Sequence, residues 1–481
     1  MVYRLLLILG LCVSTAAGQD FQSFINRIYA LPDNQRTPVV DSLMAVVPGF
    51  PFVEYDTLAH FLFRGNYTTV TIPGDANNWS ATGLPMNRVS GTDFWYFTKT
   101  FEADARLDYK FLTNGSGWIL DPRNPFMVMG GFGPNSELRM AHYQPYPGIT
   151  FDPSIPHGKL RDTVISSAAL GNSRTVRVYT PPGYDSVAGS YPVILFHDGP
   201  DYITLGQANN TLDYLIAHNA IQPVVALFVP ANAANRHEEY AASLIVPFSS
   251  FIVNDVMGWA SKRYRIRPGA ESAAVIGSSD GGDISLYLGL NYPSVFGNIA
   301  AQSSNIISPV SNGFRDGPKL NLKFYLDLGT YDNPILIPLV RNFIPILQAK
   351  GYPYLYYEYH EGHSWGNWRD HVANALLYFF PAVPTSVRGD AGIPGGYGLE
   401  QNHPNPTNPV STIAFTVPFA QHAVLKLYDV TGREVMTLFD SIAQAGRHAV
   451  RIDGSGLASG IYFYTLRAEG FLGTKKMLIL R

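Results

Sequence analysis

Residues 275–282, Val-Ile-Gly-Ser-Ser-Asp-Gly-Gly, decide the fold assignment of this chain. They contain the pattern Gly-x-Ser-x-Gly centred on Ser279, with an apolar run at 273–276 before it and a sequence that favours a helix at 283–290 after it. A strand, a tight turn and a helix in that order form a nucleophile elbow, which holds a serine at the carboxyl end of a sheet. The alternative is an ordinary glycine-rich turn with a capping serine.

Two candidate partners for Ser279 follow it in the chain. Residues 322–328 and 354–359 have the length and composition of buried strands. The first leads into a predicted turn that ends in Asp332, and the second leads into a loop that contains His363. The order serine, aspartate, histidine is that of α/β-hydrolases. We therefore expect an α/β catalytic domain with these three side chains at one edge of its sheet.

Catalysis by a serine nucleophile needs these three residue types. An imidazole must take the proton of a serine hydroxyl before it can attack, and a carboxylate fixes the tautomer of that imidazole. Asp327 competes with Asp332 for the role of the carboxylate. Asp327 lies inside the predicted strand, where it can serve a structural neighbour, whereas Asp332 lies in the loop beyond it. The position after the strand favours Asp332.

An oxyanion hole requires two backbone N–H donors. The N–H of Asp280, which follows the serine, is the first candidate. The second is expected from the loop at 197–201, which follows the predicted strand 192–196. Pro200 has no N–H, so Gly199 is preferred, with Asp201 as the alternative.

His360, Glu361 and His363 could be mistaken for metal ligands. Their spacing differs from the i, i+4 pair of a helical zinc site, and the segment is predicted as a strand end and loop. We expect no metal and no cofactor, with His371 left without a role. His197, which precedes the oxyanion loop, is expected to be structural.

Residues 150–385 resemble the putative-esterase family, which includes enterochelin, feruloyl and acetyl-xylan esterases and S-formylglutathione hydrolase. The matching motifs are 177–184, 191–193 with 197–199, Asn235-Arg236 with Glu239-Tyr240, the Ser279 elbow, Gly329-x-x-Asp332, and 362–365 with Trp368-Arg369. The enterochelin-esterase branch fits best, and Asp280 departs from the apolar residue usual there.

This resemblance implies site residues as well as a fold. It implies that Ser279, Asp332 and His363 form the triad. It also implies a set of substrate contacts: Asn235, Arg236, Glu239, Trp365 and Arg369.

The composition is that of a β-rich exported protein. The chain has 481 residues, which suggests two to four domains, with 15% charged and 13% aromatic residues. A net charge of −3 gives no reason to expect nucleic acid or an anionic membrane as partner. Residues 1–18 are predicted to be an export signal, too short to span a membrane, and contain the only cysteine, Cys12. The mature protein should therefore contain no disulfide.

The segments before residue 150 are predicted to form two structural regions. Residues 19–59 have apolar positions at helical spacing and should form a helical leader. Residues 60–149 alternate like strands and resemble the early-set, immunoglobulin-like β-sandwich that precedes the catalytic domain in enterochelin esterases and glycogen-branching enzymes. Its tryptophans at 79, 95 and 118 are predicted to be core residues, with a glycan platform as the alternative.

The last part of the chain is predicted to be a separate module. Residues 386–398 are rich in glycine and are expected to be a linker. Residues 399–481 resemble the C-terminal sorting domain of the type IX secretion system. That resemblance implies interaction with the secretion machinery and passage, by way of the periplasm, to the cell surface or medium. The alternative is a structural β-sandwich with no sorting role.

The sequence thus predicts a secreted serine carboxylesterase with an α/β-hydrolase domain between two β-sandwiches. The substrate would be a small-molecule or glycan-linked ester. A carbohydrate esterase acting on feruloyl or acetyl groups of plant glycans is the alternative among enzymes. The alternative of another class is a non-catalytic surface binding protein with a vestigial triad.

Overall fold

In the computed structural model, the described residues are 20–47, 50–382, 397–407, 410–417, 421–443, 446–468 and 471–480. The predicted export signal and most of the predicted linker lie outside them. By its internal contacts the chain divides into two compact units. The first comprises the chain up to Pro145 together with Gly329–Ile337 and Glu358–Asn367; the second comprises Tyr146–Leu328, Pro338–Tyr357 and the chain from Trp368 onward.

The first unit begins with two helices, α1 (Phe21–Tyr29) and α2 (Asp33–Val46). Its strands are β1 (Phe52–Glu54), β2 (Leu58–Arg64), β3 (Val70–Thr71), β4 (Asn87–Arg88), β5 (Phe94–Thr100), β6 (Arg106–Tyr109), β7 (Phe111–Thr113), β8 (Gly117–Ile119), β9 (Met127–Gly130) and β10 (Gly133–Arg139). They form the sheets β1-β2-β5-β4 and β3-β7-β8, while β10 pairs with β6 on one side and with β9 on the other.

The helical leader packs on the strands that follow it. Asp20 caps α1 by accepting a hydrogen bond from the Ser23 N–H at 2.7 Å. The apolar face of α1, with Ile28 fully buried, shares one core with Leu62 and Phe94 of the strands. The leader is thus part of the first unit.

Two of the three tryptophans that are predicted to lie in the core of the sandwich have different environments. Trp95 is 4% exposed and lies in the core, and its indole N–H donates to the Gly65 carbonyl at 2.9 Å. Trp118, in contrast, is 49% exposed. The core interpretation is therefore correct for Trp95 and wrong for Trp118.

The second unit contains a mainly parallel sheet. Its strands are β11 (Lys159–Ser167), β12 (Asn172–Thr180), β13 (Val193–His197), β14 (Val225–Val229), β15 (Ala273–Ser278), β16 (Asn298–Gln302) and the start of β17 (Lys323–Tyr331). The order is β11-β12-β14-β13-β15-β16-β17, with β11 and β12 antiparallel and the strands from β14 to β17 parallel to one another. The central strands are fully buried, which is why they are continuous apolar runs rather than alternating ones.

Helices lie between these strands and after the last of them. They are α3 (Gly199–Thr204), α4 (Ala208–Ala217), α5 (Arg236–Ala241), α6 (Ile245–Ser250), α7 (Gly258–Arg263), α8 (Asp280–Asn291), α9 (Ser308–Asp316), α10 (Leu336–Lys350) and α11 (Trp365–Phe379). A π-helix at Phe251–Met257 joins α6 to α7. Among the described residues, no single helix is long and apolar enough to cross a bilayer. The helical segments Ala233–Ala241 and Ile245–Arg263, bent by 90° relative to each other, are long and apolar enough only when taken together.

Two strands run further than the sequence predicts. The predicted turn before Asp332 is wrong in part, because β17 continues through Tyr331. Likewise β18 (Tyr354–Gly362) includes residues 360–362, which were predicted as a strand end and loop. In the first unit, β18 pairs with β6 at Glu361 and Arg106, and this neighbour gives the end of β18 a backbone partner. The extra strand residues thus depend on a contact distant in sequence.

The C-terminal region, from residue 397, is built only of strands in its described part. They are β19 (Gly398–Leu399), β20 (Val410–Val417), β21 (Gln421–Tyr428), β22 (Glu434–Ala443), β23 (Gly446–Asp453), β24 (Gly460–Ala468) and β25 (Phe471–Ile479). They form two sheets, β19-β20-β23 and β22-β21-β24-β25, around a common core. Tyr464 is fully buried, and its hydroxyl donates to the Glu400 carbonyl at 2.8 Å. This hydrogen bond holds the first residues of the region against its core.

Gly277, at the end of β15, provides a test of the packing behind the elbow. A Cβ there would overlap the backbone of Gly281. Gly277→Ala should therefore lower the free energy of unfolding by roughly 1–3 kcal/mol, as for overpacked cores. The measurement is urea denaturation of the full chain.

The matched control is Gly258→Ala in α7, where the nearest atom to an added Cβ is the Val253 carbonyl oxygen at 4.0 Å. This change should be neutral or stabilise the helix by up to about 1 kcal/mol. Equal destabilisation by the two substitutions would contradict the tight approach at Gly277.

Candidate active site

Ser279 occupies a strained turn between β15 and α8. Its backbone has φ 57° and ψ −126°, a region that non-glycine residues rarely adopt. The Ser279 N–H donates to the Gln302 carbonyl at 2.9 Å, which ties the turn to β16. A Cβ at Gly277 would overlap the backbone of Gly281, which explains the glycine before the serine, whereas a Cβ at Gly281 would lie 3.2 Å from Asp198 Oδ2. The side chain is half-buried at the carboxyl end of the strand.

His363 and Asp332 form a hydrogen-bonded pair in the first unit. His363 Nδ1 lies 2.7 Å from Asp332 Oδ1, and since a carboxylate can only accept, Nδ1 donates. The Asp332 side chain is fully buried while that of His363 is 29% exposed. With its proton on Nδ1, the imidazole carries its lone pair on Nε2, which is the form a general base requires.

Asp327, the competing carboxylate, serves a buried network in the second unit. Its Oδ2 accepts hydrogen bonds from Gln302 Nε2 at 2.9 Å and from the Tyr325 hydroxyl at 3.1 Å. The side chain is fully buried in β17. These contacts are those of a structural carboxylate.

The two predicted oxyanion donors both lie at the first position of a helix. Gly199 begins α3 and Asp280 begins α8, and the first N–H groups of a helix have no partner within it. A Cβ at Gly199 would overlap the backbone of Phe228, so no larger residue fits there. The alternative donor, the N–H of Asp201, is already bonded to the Asp198 carbonyl at 2.9 Å.

The side chain of Asp280 is held by three partners. Its carboxylate accepts from Asn305 Nδ2 at 2.7 Å and lies 3.0 Å from His237 Nδ1 and 3.6 Å from Arg236 Nη1. Arg236 also binds both carboxylate oxygens of Asp198, at 2.9 and 2.7 Å. These contacts compensate the charge that an acid at this position adds to the elbow.

Two buried titratable groups surround the elbow. Burial raises the pKa of Asp283, on α8, to about 8; the Ile307 N–H, which Asp283 accepts at 2.9 Å, opposes this shift and the charge of Asp280 adds to it. Burial lowers the pKa of His197 to about 3, and the charge of Arg236 adds to that effect. His197 is therefore neutral in the core, in line with the structural role expected for it.

The residues predicted as substrate contacts have different partners. Arg236 lies beside the elbow, and Asn235 is exposed just before α5. Glu239 is 1% exposed and is paired with Arg174, whose Nη1 is 3.2 Å from it. Trp365, at the start of α11 in the first unit, is 8% exposed, and the Arg369 Nε lies 3.5 Å from Asp370. Of this set, Arg236 contacts the elbow residue Asp280.

The residues considered as metal ligands contact different partners. His360 Nδ1 lies 2.7 Å from Asp104, and Glu361 lies 3.7 Å from Arg106. Within the described part of the chain, no group of three or more histidine, cysteine, aspartate or glutamate side chains is arranged to hold a metal ion.

Arg106 was missed by the sequence reasoning. It is completely buried in β6 and bonds Glu137, Asp108 at 2.6 Å and Ser364 at 3.1 Å. Burial alone would lower its pKa, but the charges of Asp108, Glu137 and Glu361 raise it well above the ordinary value. The one available signal was the spacing of Arg106 and Asp108, because residues two apart in a strand share a face.

Comparisons with known proteins agree with this fold. Residues 167–379 match the model of the Putative esterase family, and residues 402–480 match the secretion system C-terminal sorting domain. The protein YjcH of Bacillus subtilis is 24% identical over 233 residues, covering 46% of this chain and 97% of YjcH. The iron(III) enterobactin esterase of Escherichia coli O6:H1 is 25% identical over 256 residues, covering 48% of this chain and 63% of that protein.

A solved structure extends the likeness over more of the chain. The enterobactin esterase from Shigella flexneri, crystallised in the presence of enterobactin, superposes with a TM-score of 0.60 at 20% identity. The superposition covers 70% of this chain and 97% of that one, and at this identity it is evidence of a common fold. Residues 167–379 therefore match the Putative esterase family on an α/β-hydrolase fold, and residues 402–480 match a secretion system C-terminal sorting domain.

Proposed function

We propose that the protein is a secreted ester hydrolase that works through a serine nucleophile. The observation that carries the proposal is the 2.7 Å hydrogen bond between His363 and buried Asp332. A buried carboxylate on Nδ1 is the arrangement that makes an imidazole a general base for a serine. Ser279, in its strained turn, is the serine that this base would serve.

The reaction proceeds through an acyl-enzyme. Ser279 Oγ attacks the ester carbonyl while His363 Nε2 takes the hydroxyl proton, and Asp332 stabilises the imidazolium. The N–H groups of Gly199 and Asp280 donate to the developing oxyanion. His363 returns the proton to the leaving alcohol, and a water molecule, activated by the same imidazole, releases the acid and restores Ser279.

The substrate is proposed from the relatives and from charge. The E. coli and Shigella proteins are enterobactin esterases by name, which favours an ester of that type as the first substrate to test. A carbohydrate esterase is the second candidate, favoured by Trp118, which is 49% exposed and presents an aromatic face on which a sugar could stack. The substrate contacts of Asn235, Arg236, Glu239, Trp365 and Arg369 are part of this proposal.

The sorting domain supports export to the surface or medium. We assign residues 1–18 to the signal, 19–59 and 60–149 to the leader and the sandwich, 150–385 to the hydrolase, and 386–398 and 399–481 to the linker and sorting domain. The route would pass through the periplasm to the type IX machinery.

Removal of the nucleophile is the direct test. Ser279→Ala should lower kcat for p-nitrophenyl acetate by about 10³-fold or more, with the fold retained, because no other group takes its place. The neighbouring buried serine provides the control: Ser278→Ala should retain activity within about tenfold. Activity of Ser279→Ala within tenfold of wild type would refute the mechanism, and an inactive wild-type chain would favour a binding protein with a vestigial triad.

The assignment of the acid is tested by two matched substitutions. Asp332→Asn should lower kcat/KM by about 10²-fold or more, because an amide on Nδ1 no longer holds the required tautomer. Asp327→Asn, a change of the same size in the same strand region, should cost much less. The opposite ranking, measured on one ester at one pH, would transfer the role to Asp327.

The sorting role is tested by truncation. A chain that ends at Gly398 should hydrolyse ester normally in lysate of a host with the secretion system, but accumulate in the periplasm. Release of the truncated chain to the medium, or inactivity of purified 19–398, would show that the C-terminal region does not act as a separate sorting signal.

A further inference from the structure

The segment that carries His363 is held by a strand of the preceding sandwich. Arg106, in β6, donates from Nη1 to Ser364 Oγ at 3.1 Å, and the same nitrogen lies 3.7 Å from Glu361. Ser364 follows His363 directly, and Glu361 precedes it by two residues. One buried guanidinium therefore contacts both sides of the histidine.

The same segment is tightly packed. A Cβ at Gly362 would overlap the carboxylate of Asp75, and one at Gly366 would overlap the guanidinium of Arg106. Asp75 is itself fixed, because it accepts from the Asp108 N–H at 2.7 Å. Residues 361–366, here called the histidine segment, thus lie directly against side chains of the sandwich.

The end of β17, which directly precedes Asp332, contacts the same part of the sandwich. The hydroxyl of Tyr331, the residue before Asp332, donates to Glu102 at 2.7 Å, and the Tyr331 and Phe101 rings are 6.1 Å apart. Both members of the histidine–aspartate pair are therefore flanked by residues that contact the stretch 101–108.

The choice of an arginine follows from the number of partners. Arg106 reaches Glu137, Asp108, Ser364 and Glu361 at once. A planar guanidinium with five donors can do this, whereas the ammonium of lysine is a point charge with three. Buried ion clusters contribute little to net stability, so fixing a geometry is the better reason to retain one.

We propose that Arg106 is a positioning residue that holds the histidine segment so that His363 stays bonded to Asp332. Through Arg106, the sandwich then helps to position the catalytic base and is not an independent module. This inference rests on the proposed function in taking His363 as the general base.

The test uses the full chain with two substitutions of graded severity. Arg106→Lys keeps the charge but not the fork of donors, and Ser364→Ala removes one hydrogen bond with almost no change in volume. We expect Arg106→Lys to lower kcat for p-nitrophenyl acetate about tenfold or more, with KM changed less than about twofold, and Ser364→Ala to lower it less, because small displacements of a base reduce the chemical step.

A spectroscopic readout separates positioning from general destabilisation. The His363 Nδ1 proton, hydrogen bonded to a carboxylate, should give a downfield proton resonance, assigned by its loss in His363→Ala. In both variants this resonance should broaden or shift. The control is Tyr109→Phe, which removes a buried hydrogen bond of 2.7 Å to Asp121 from the same strand, β6, and should leave kcat and the resonance unchanged.

The outcomes are decisive in each case. Wild-type kcat and resonance in Arg106→Lys would overturn the proposal; if that variant does not fold, the same result in Ser364→Ala would do so. An equal fall of kcat in Tyr109→Phe would also overturn it. If wild type hydrolyses no ester, the proposed function fails, but the resonance still shows whether Arg106 holds His363 against Asp332.

Discussion

The hydrogen bond between His363 and Asp332 depends on two neighbouring strands that end at the same edge of a sheet. β17 ends at Tyr331 and β18 ends at Gly362. Asp332 and His363 are the residues that directly follow these two strands. Gly329 is required for this approach, because a Cβ there would overlap the Glu361 carbonyl. Backbone proximity therefore precedes and permits the side-chain contact.

The parts of the site that the sequence predicts are those set by local rules. The elbow around Ser279 follows from a strand, small residues and a helix within 20 residues, and the strained φ of 57° is what that pattern requires. The preference for Asp332 over Asp327 came from its position just after a strand. In the structure Asp332 contacts His363, whereas Asp327 contacts Gln302.

The parts that the sequence does not predict depend on distant contacts. Arg106 and Ser364 are 258 residues apart, and no pattern around either residue names the other. The extension of β18 to Gly362 arises from pairing with β6, which a strand-length argument cannot include. Glu239, proposed from a motif as a substrate contact, is buried against Arg174. Motif position gives the neighbourhood of a residue, whereas its partner is decided by tertiary packing.

The first unit is discontinuous in the chain, since it combines the residues up to Pro145 with Gly329–Ile337 and Glu358–Asn367. During synthesis Glu361 and Ser364, two of the four residues that Arg106 contacts, emerge only after most of the residues assigned to the hydrolase have been made. Contacts of such long sequence separation form late and slowly, because the chain must first close a large loop. Until this segment is made, Arg106 lacks both Glu361 and Ser364, so the hydrogen bond between His363 and Asp332 forms only after β18 has emerged.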